Sequence, residues 1–149
     1  MIRLSRMTDY GIVLLTRVAS HPEREVHSAS DLAAEAGLPR PTVSKILKIL
    51  ARKGLLTSRR GVVGGYRLAR PPEEISLTDL IDALEGPVGL TTCTTPEANH
   101  CEFEQVCPVE DHWNMINRAV RSTLEKITLS NLARPCPTTA AVAATVQFP

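Results

Sequence analysis

The segment that most constrains the fold is a basic, glycine-rich stretch at residues 59–65, which reads Arg-Arg-Gly-Val-Val-Gly-Gly. Short strand-like segments flank it at residues 55–58 and 66–69, which predicts an antiparallel hairpin with a flexible tip. Glycines let the backbone approach a ligand closely, and arginine guanidinium groups suit phosphates. A chain built around this stretch is expected to present a basic hairpin at its surface.

The residues before the hairpin predict three helices. The first runs from an N-cap at Thr8 to about residue 20, and the second from an N-cap at Ser30 to residue 36. The third has Pro41 in its first turn and ends before a left-handed cap at Gly54. Its apolar stripe consists of Val43, Ile46, Leu47 and Leu50. A short helix, a tight turn and a second helix with a basic face predict a helix-turn-helix, and the hairpin behind it makes a winged helix.

Basic residues are concentrated in the same half of the chain. Residues 1–72 contain 13 lysines and arginines against five acidic residues, a net charge of +8, whereas residues 73–149 have a net charge of −7. A basic half predicts an anionic partner, most often nucleic acid. We therefore expect double-stranded DNA to bind the first half and to be repelled by the second.

Two groups of residues are candidates for contact with DNA. The third helix would place its N-terminal half in the major groove, and the wing would contact phosphates or the minor groove. The helix candidates are Arg40, Thr42, Ser44, Lys45 and Lys48. The wing candidates are Arg59, Arg60, Tyr66 and Arg67.

The chain after the wing is expected to contain a capped helix, a loop and a long helix. Ser76 caps residues 77–84, with Ile75 and Leu80 placed to form a hydrophobic staple. The long helix has an apolar seam at heptad-like spacing: Val109, Trp113, Ile116, Val120, Thr123 and Ile127. A seam of this kind needs a partner, so we expect a homodimer that binds a near-palindromic operator.

The predicted fold is mainly α with a small β-hairpin. It comprises a winged helix-turn-helix DNA-binding domain at residues 1–86 and a cysteine-rich loop at 87–108. A long C-terminal dimerisation helix at 109–134 and a disordered tail at 135–149 follow. No apolar run predicts a signal peptide or a membrane span, so we expect a cytoplasmic protein with reduced thiols and no membrane partner.

Three of the four cysteines lie in the predicted loop. Cys93, Cys101 and Cys107 fall within fifteen residues, in a stretch without apolar periodicity. A loop that concentrates thiols supplies soft donors suited to an iron–sulfur cluster, zinc or Cu(I). Cys136 stands apart between two prolines and is interpreted as an incidental exposed thiol.

These features together resemble the Rrf family of winged-helix regulators, which includes the iron–sulfur regulator IscR and the nitric-oxide sensor NsrR. The resemblance rests on residues 3–11, on the helix at 44–50, on the wing at 60–68 and on the three-cysteine loop, and it covers residues 1–134. The overall likeness is greatest to regulators of the SUF iron–sulfur assembly operon. The resemblance implies a homodimeric repressor of iron–sulfur assembly genes, whose DNA affinity depends on a bound 4Fe–4S or 2Fe–2S cluster.

The resemblance also implies the ligands of that cluster. The three loop cysteines would bind it, although the seven residues between Cys93 and Cys101 make a wider gap than IscR has. In NsrR-like members the fourth ligand is an aspartate from the first helix of the partner subunit, and Asp9 occupies that position. In IscR-like members it is a histidine after the third cysteine, and His112 lies farther along the chain than that pattern requires. Asp9 is preferred, with His112 and then His100 as the alternatives.

Other functions remain open from the sequence. One is a nitric-oxide or redox-sensing repressor of the same family. Another is a DNA-binding dimer with a structural zinc site of three cysteines and a histidine, although structural zinc sites favour closely paired cysteines, which this loop lacks. A thiol enzyme is disfavoured, because there is no C-x-x-C motif, phosphate-binding glycine loop or paired-carboxylate site. We therefore expect a protein that is not an enzyme.

Overall fold

The computed structural model describes residues 3–61, 64–95, 101 and 106–134. Its helices are α1 (Arg6–Ser20), α2 (Ala29–Ala36), α3 (Arg40–Arg52), α4 (Leu77–Leu84), α5 (Glu110–Glu125) and α6 (Leu129–Ala133). Its strands are β1 (Leu56–Arg59) and β2 (Gly65–Leu68), and short 3-10 turns cover Pro72–Glu74 and Thr92–Thr94. The prediction of a mainly α fold with one small hairpin is confirmed. None of the described helices is long and apolar enough to cross a membrane.

The core lies between α1, α2, α3 and α4, with contributions from the hairpin and from α6. The predicted stripe of α3 is confirmed, because its four apolar residues have no exposed surface. The fully or almost fully buried side chains are Leu14, Leu15, Leu32, Val43, Ile46, Leu47, Leu50, Leu56, Ile75, Leu80 and Leu129. Burying α3 on one face fixes the direction in which its polar face points.

Two predicted helix starts are wrong by a few residues. The N-cap of α1 is Ser5, whose hydroxyl accepts the Thr8 N–H at 3.3 Å, and Thr8 itself is fully buried. The N-cap of α2 is Ser28, whose hydroxyl accepts the Asp31 N–H at 3.1 Å, and Ser30 lies inside the helix. In both places two hydroxyl residues lie close together, and the earlier one makes the cap.

The wing is a two-stranded hairpin, and a single bridge to His27 extends it on the other side of β2. β1 and β2 pair antiparallel, with Arg59 opposite Gly65, and on the other side of β2 the backbone of His27 pairs with that of Tyr66. Both hydrogen bonds between His27 and Tyr66 are 2.8 Å long. A Cβ atom on Gly65 would lie 2.6 Å from the His27 carbonyl oxygen, so this close approach requires glycine. The sequence did not predict the pairing with His27.

The predicted caps at the ends of α3 and α4 are confirmed. Gly54 adopts a left-handed conformation with φ of 76° one residue beyond Lys53, the C-cap of α3, as expected for a helix C-terminus. Ser76 and Asp79 form a capping box at the start of α4, and Ile75 and Leu80 are fully buried on either side of it. α4 therefore begins and ends at the predicted residues.

The prediction of one long helix over residues 109–134 is wrong. α5 ends at Glu125, and the next residues pair with the start of α4 and the residues just before it. The Leu77 N–H donates to the Ile127 C=O, and the Leu129 N–H donates to the Ile75 C=O, both at 2.8 Å. Thr128 then caps α6, which packs against α1 and buries Leu129 completely. α6 therefore belongs to the core of the winged helix.

Candidate DNA interface and cysteine loop

The exposed face of α3 is strongly basic. Arg40, Lys45, Lys48 and Arg52 are exposed, whereas the smaller candidates Thr42 and Ser44 are half-buried. None of the four cations forms an ion pair with another residue in the described part of the chain. Their positive charge is thus available to an anionic partner along one side of the helix.

The N-terminus of α3 adds to this positive face. Its N-cap is Pro39, no side chain caps it, and its first turn contains no acidic residue. The helix dipole and the uncapped N–H groups favour an anion at this end. α2 differs, because Ser28 caps it and Asp31 lies in its first turn. The N-terminus of α3 is therefore open to a phosphate, and α3 is also the helix with the predicted DNA contacts.

The three arginines of the wing have different surroundings. Arg59 forms an ion pair with Glu25, with 3.0 Å between Nη1 and Oε1. The Arg67 Nε–H donates across the hairpin to the Thr57 hydroxyl at 3.2 Å. Arg60 is exposed and forms no ion pair with another described residue. Of the three, Arg60 is thus the one whose guanidinium has no partner within the described structure.

Tyr66 lines a shallow groove between the wing and the C-terminal half of α3. Lys48, Ala51, Arg52 and Ser58 line the same groove, whose volume is about 410 Å³. Sequence reasoning missed Arg52, although it lies four residues after Lys48 and hence on the same helix face. The groove extends the basic face of α3 toward the hairpin.

The three loop cysteines are half-buried free thiols. Cys93 lies in the 3-10 turn Thr92–Thr94, and its sulfur is 3.2 Å from the Thr91 hydroxyl. Cys107 lies just before α5. Among the residues that the structure describes, no three His, Cys, Asp or Glu side chains form a group that could hold a metal ion. Cys136, His100 and residues 135–149 lie outside the described part.

The segment that leads into the Cys93 turn is hydrogen-bonded to α5 through the side-chain amide of Asn117. The Asn117 side chain accepts the Leu90 N–H at 3.2 Å and donates to the Val88 carbonyl at 3.3 Å. One turn away, Arg121 pairs with Asp82 of α4 at 2.8 Å, and the other oxygen of Asp82 accepts the Val88 N–H at 3.1 Å. Backbone and side-chain hydrogen bonds therefore join α4, the start of the loop and α5.

The candidate fourth ligands lie at two different helix starts. Asp9 is exposed in the first turn of α1, and His112 is exposed in the first turn of α5. Neither joins the cysteines in a three-ligand group within the described residues of one protomer. An exposed Asp9 remains available to a second copy of the chain.

Glu85 fixes the start of α1 to the end of α4. Its Oε1 accepts the Thr8 O–H at 2.6 Å and the Ser5 N–H at 2.5 Å. Partial burial alone would raise the pKa of Glu85, but these hydrogen bonds to its charged form outweigh burial, and the pKa is lowered. Because Asp9 directly follows Thr8, this contact holds the first turn of α1 beside the segment that leads into the cysteine loop.

One face of α5 is apolar and open. No residue of α5 is buried, and its main contacts are with α4 and with the turn that carries Cys93. Val109, Trp113 and Ile116 are 45%, 37% and 40% exposed. Contiguous exposed apolar residues of this size are typical of a protein–protein contact.

Comparisons with known proteins identify the family. A family model described as "Rrf2: Iron-dependent Transcriptional regulator" matches residues 4–135. The chain belongs to the Rrf2 family of transcriptional regulators. An HTH-type transcriptional regulator of Mycobacterium tuberculosis is 30% identical to it over 135 residues, covering 89% of this chain and 81% of the relative.

Solved structures agree with the Rrf2 assignment. CymR, the global cysteine regulator of B. subtilis, superposes with a TM-score of 0.71 at 28% identity, covering 89% of this chain and 97% of CymR. T. potens IscR superposes with a TM-score of 0.66 at 24% identity, covering 99% of this chain and 94% of IscR. At that identity the likeness to IscR shows the fold alone. The predicted family and winged-helix fold are confirmed.

Proposed function

We propose that this Rrf2 regulator is a homodimer that binds a near-palindromic DNA operator and represses iron–sulfur assembly genes under the control of an iron–sulfur cluster. The observation that carries the proposal is the combination of an open basic face on α3 with three half-buried free thiols in the same small fold. The protein would act in the cytoplasm, where the DNA is found and thiols stay reduced.

DNA binding is supported by the four exposed cations of α3 and by the uncapped start of that helix. The N-terminal half of α3 would enter the major groove, where Arg40, Lys45 and Lys48 would reach base edges or phosphates. Thr42 and Ser44, which are half-buried, would make shorter contacts. The wing would follow the neighbouring backbone through Arg60 first, with Tyr66 and Arg67 beside it.

Dimer formation is supported by the open apolar face of α5. An amphipathic helix without a single buried residue gains little from its own chain. Pairing two copies along this face would remove Trp113 and Ile116 from water, and a twofold arrangement is the commonest one for such self-association. A dimer of this type presents two copies of α3, which is why we expect a near-palindromic operator.

Cluster binding is supported by the donor set and by the family description as iron-dependent. Thiolates are the usual ligands of iron–sulfur clusters, so Cys93, Cys101 and Cys107 fit such a group chemically. When bound, it would supply an iron site that oxidants or nitric oxide can attack. Asp9 of the partner subunit is the preferred fourth ligand, with His112 the alternative. Either one would hold soft iron less firmly than a thiolate does, and would leave that iron open to attack.

The chain also contains a connection from this site to the DNA-binding fold. Asn117 and Asp82 hold the start of the cysteine loop against α5 and α4, and Glu85 holds the first turn of α1 beside it. A ligand supplied by α1 of one subunit to the loop of the other would therefore bias the relative position of the two winged helices. Such a differential contact is what control of DNA affinity requires.

The test is anaerobic purification followed by an absorption spectrum and by iron, acid-labile sulfide and zinc assays on one sample. We expect a brown protein with equal amounts of iron and sulfide, both lost in Cys101→Ser. Asp9→Ala and His112→Ala then identify the fourth ligand. Zinc without sulfide, or a colourless protein that stays metal-free after reconstitution, would contradict cluster binding.

A second candidate function is control of cysteine metabolism without a cluster. The similarity to CymR, described as a global cysteine regulator, favours it. The same assay separates the two candidates, because this second function predicts DNA binding by a protein that contains neither iron nor sulfide.

A further inference from the structure

One basic residue of the wing is already occupied by an acidic residue of the same chain. Glu25, in the loop between α1 and α2, accepts a hydrogen bond from Arg59 at 3.0 Å. Both side chains are largely exposed, at 70% for Glu25 and 63% for Arg59. An exposed ion pair of this kind is weak and opens readily, so another anion can replace one of its members.

The pair draws Arg59 away from the tip of the wing. β1 runs toward the tip and ends at Arg59. The antiparallel bridge between His27 and Tyr66 means that the chain reaches His27 from the base of the hairpin and runs toward its tip. Glu25 therefore lies on the base side, and it lines a groove with Val26, Thr57, Ser58, Arg59 and Arg67. The Arg59 guanidinium is therefore held beside the hairpin, at the groove that Glu25 lines.

The charged residues near Glu25 in the sequence do not replace it as the partner of Arg59. Arg24 pairs with Glu35 at 2.6 Å and is not available to Glu25. Glu23, two residues before Glu25, contacts the His21 ring at 3.1 Å and makes no ion pair with the wing. Glu23 and Glu25 have the same charge, the same loop and similar exposure, and they differ in whether they contact Arg59.

We propose that Glu25 competes with DNA phosphate for Arg59, so that it lowers the affinity of the wing for DNA without changing sequence preference. In free protein Arg59 is paired with Glu25, and on DNA the guanidinium moves to a backbone phosphate. Glu25 therefore weakens the binding of all DNA sequences to the same extent. This inference rests on the proposed DNA-binding function.

The experiment compares Glu25→Gln with Glu23→Gln in the full chain. Each removes one negative charge from the same loop, and Glu23→Gln therefore corrects for the general effect of charge. Affinity is measured by fluorescence anisotropy on a mixed-sequence duplex, because phosphate contacts do not depend on sequence. Both changes are repeated in an Arg59→Ala background, and thermal unfolding confirms that each variant is folded.

We expect Glu25→Gln to bind about twofold to about twenty-fivefold more tightly than Glu23→Gln, the range expected for two exposed ion pairs, one in each protomer of the dimer. The difference should shrink as salt is raised and should vanish in the Arg59→Ala background. Equal affinities of the two single variants would overturn the proposal. So would weaker binding by Glu25→Gln, which would mean that Glu25 orients Arg59 onto DNA, or a difference that persists without Arg59. If wild-type protein does not bind the duplex at all, the proposed DNA-binding function fails together with this inference.

Discussion

Replacing Arg60 by alanine should reduce the salt dependence of DNA binding, and the size of the reduction should show whether one or two protomers bind the duplex. Each phosphate contact contributes about 0.9 to the slope of log affinity against log salt. A protomer offers four exposed cations on α3 and Arg60 on the wing. If each of these five contacts a phosphate, they give two protomers a slope of about −9, to which Arg59 adds about −1.8 when it leaves Glu25 for a phosphate. Because a homodimer loses Arg60 twice, Arg60→Ala should reduce the slope by about 1.8, compared with about 0.9 for a bound monomer.

The slope is measured by fluorescence anisotropy on one duplex over a salt series. Between about 50 and 200 mM salt, a slope change of 1.8 makes the binding defect of Arg60→Ala roughly tenfold larger at the low end. Arg118→Ala is the matched control. It removes an exposed arginine from α5, a helix whose main contacts are with α4 and the cysteine turn and not with α3 or the wing. Equal slopes for wild type and Arg60→Ala, or equal changes for both variants, would refute this interpretation of the wing.

Three further predictions concern the elements around the interface. Leu129→Ala should lower the free energy of unfolding by about 2–5 kcal/mol in urea titrations, because it opens a cavity in the winged-helix core, and a loss below about 1 kcal/mol would contradict the docking of α6. Asn117→Asp removes the donor to the loop backbone, so Cys93 in metal-free protein should be alkylated about fivefold faster, whereas Asn114→Asp, one turn earlier, should have no such effect. The lowered pKa of Glu85 means that its stabilising contribution is present above the unfolded value of about 4.5 and is lost as the pH falls through the folded value. The stability difference between wild type and Glu85→Gln should therefore be constant at neutral pH and shrink below about pH 4.5, and a constant difference down to pH 3 would contradict the hydrogen-bonded carboxylate.

Local patterns in the sequence were sufficient for α3 and α4. The stripe of α3 repeats at helical spacing, and the serine cap and apolar staple of α4 lie within one turn of each other. These signals depend on residues that are close in sequence, and the structure places them as predicted. The caps of α1 and α2 were missed, because neighbouring hydroxyl residues offer alternatives that only tertiary contacts decide. Thr8 could not cap α1 once its hydroxyl was buried against Glu85.

Tertiary pairing also explains the error at the end of α5. The heptad-like pattern continues through Ile127, so it predicted an uninterrupted helix. The chain instead leaves the helix after Glu125, and Thr128 pairs with Ser76 before α4, 52 positions earlier; α6 then returns to the core. For the same reason, the sequence could not show that Arg59 and Arg60 have different partners. They are adjacent in sequence, and only the fold shows that Glu25 reaches the first of them.

The central claim is that the cluster controls DNA affinity. The direct measurement selects duplexes from a random-sequence pool with anaerobic, cluster-loaded protein, and then compares the affinity of loaded and cluster-free protein for the selected duplex. We predict that loaded wild-type protein binds the selected duplex more tightly, and that Cys101→Ser binds it as the cluster-free protein does. Equal affinities of the loaded and cluster-free proteins would contradict the claim and leave a DNA-binding protein whose thiols serve another purpose.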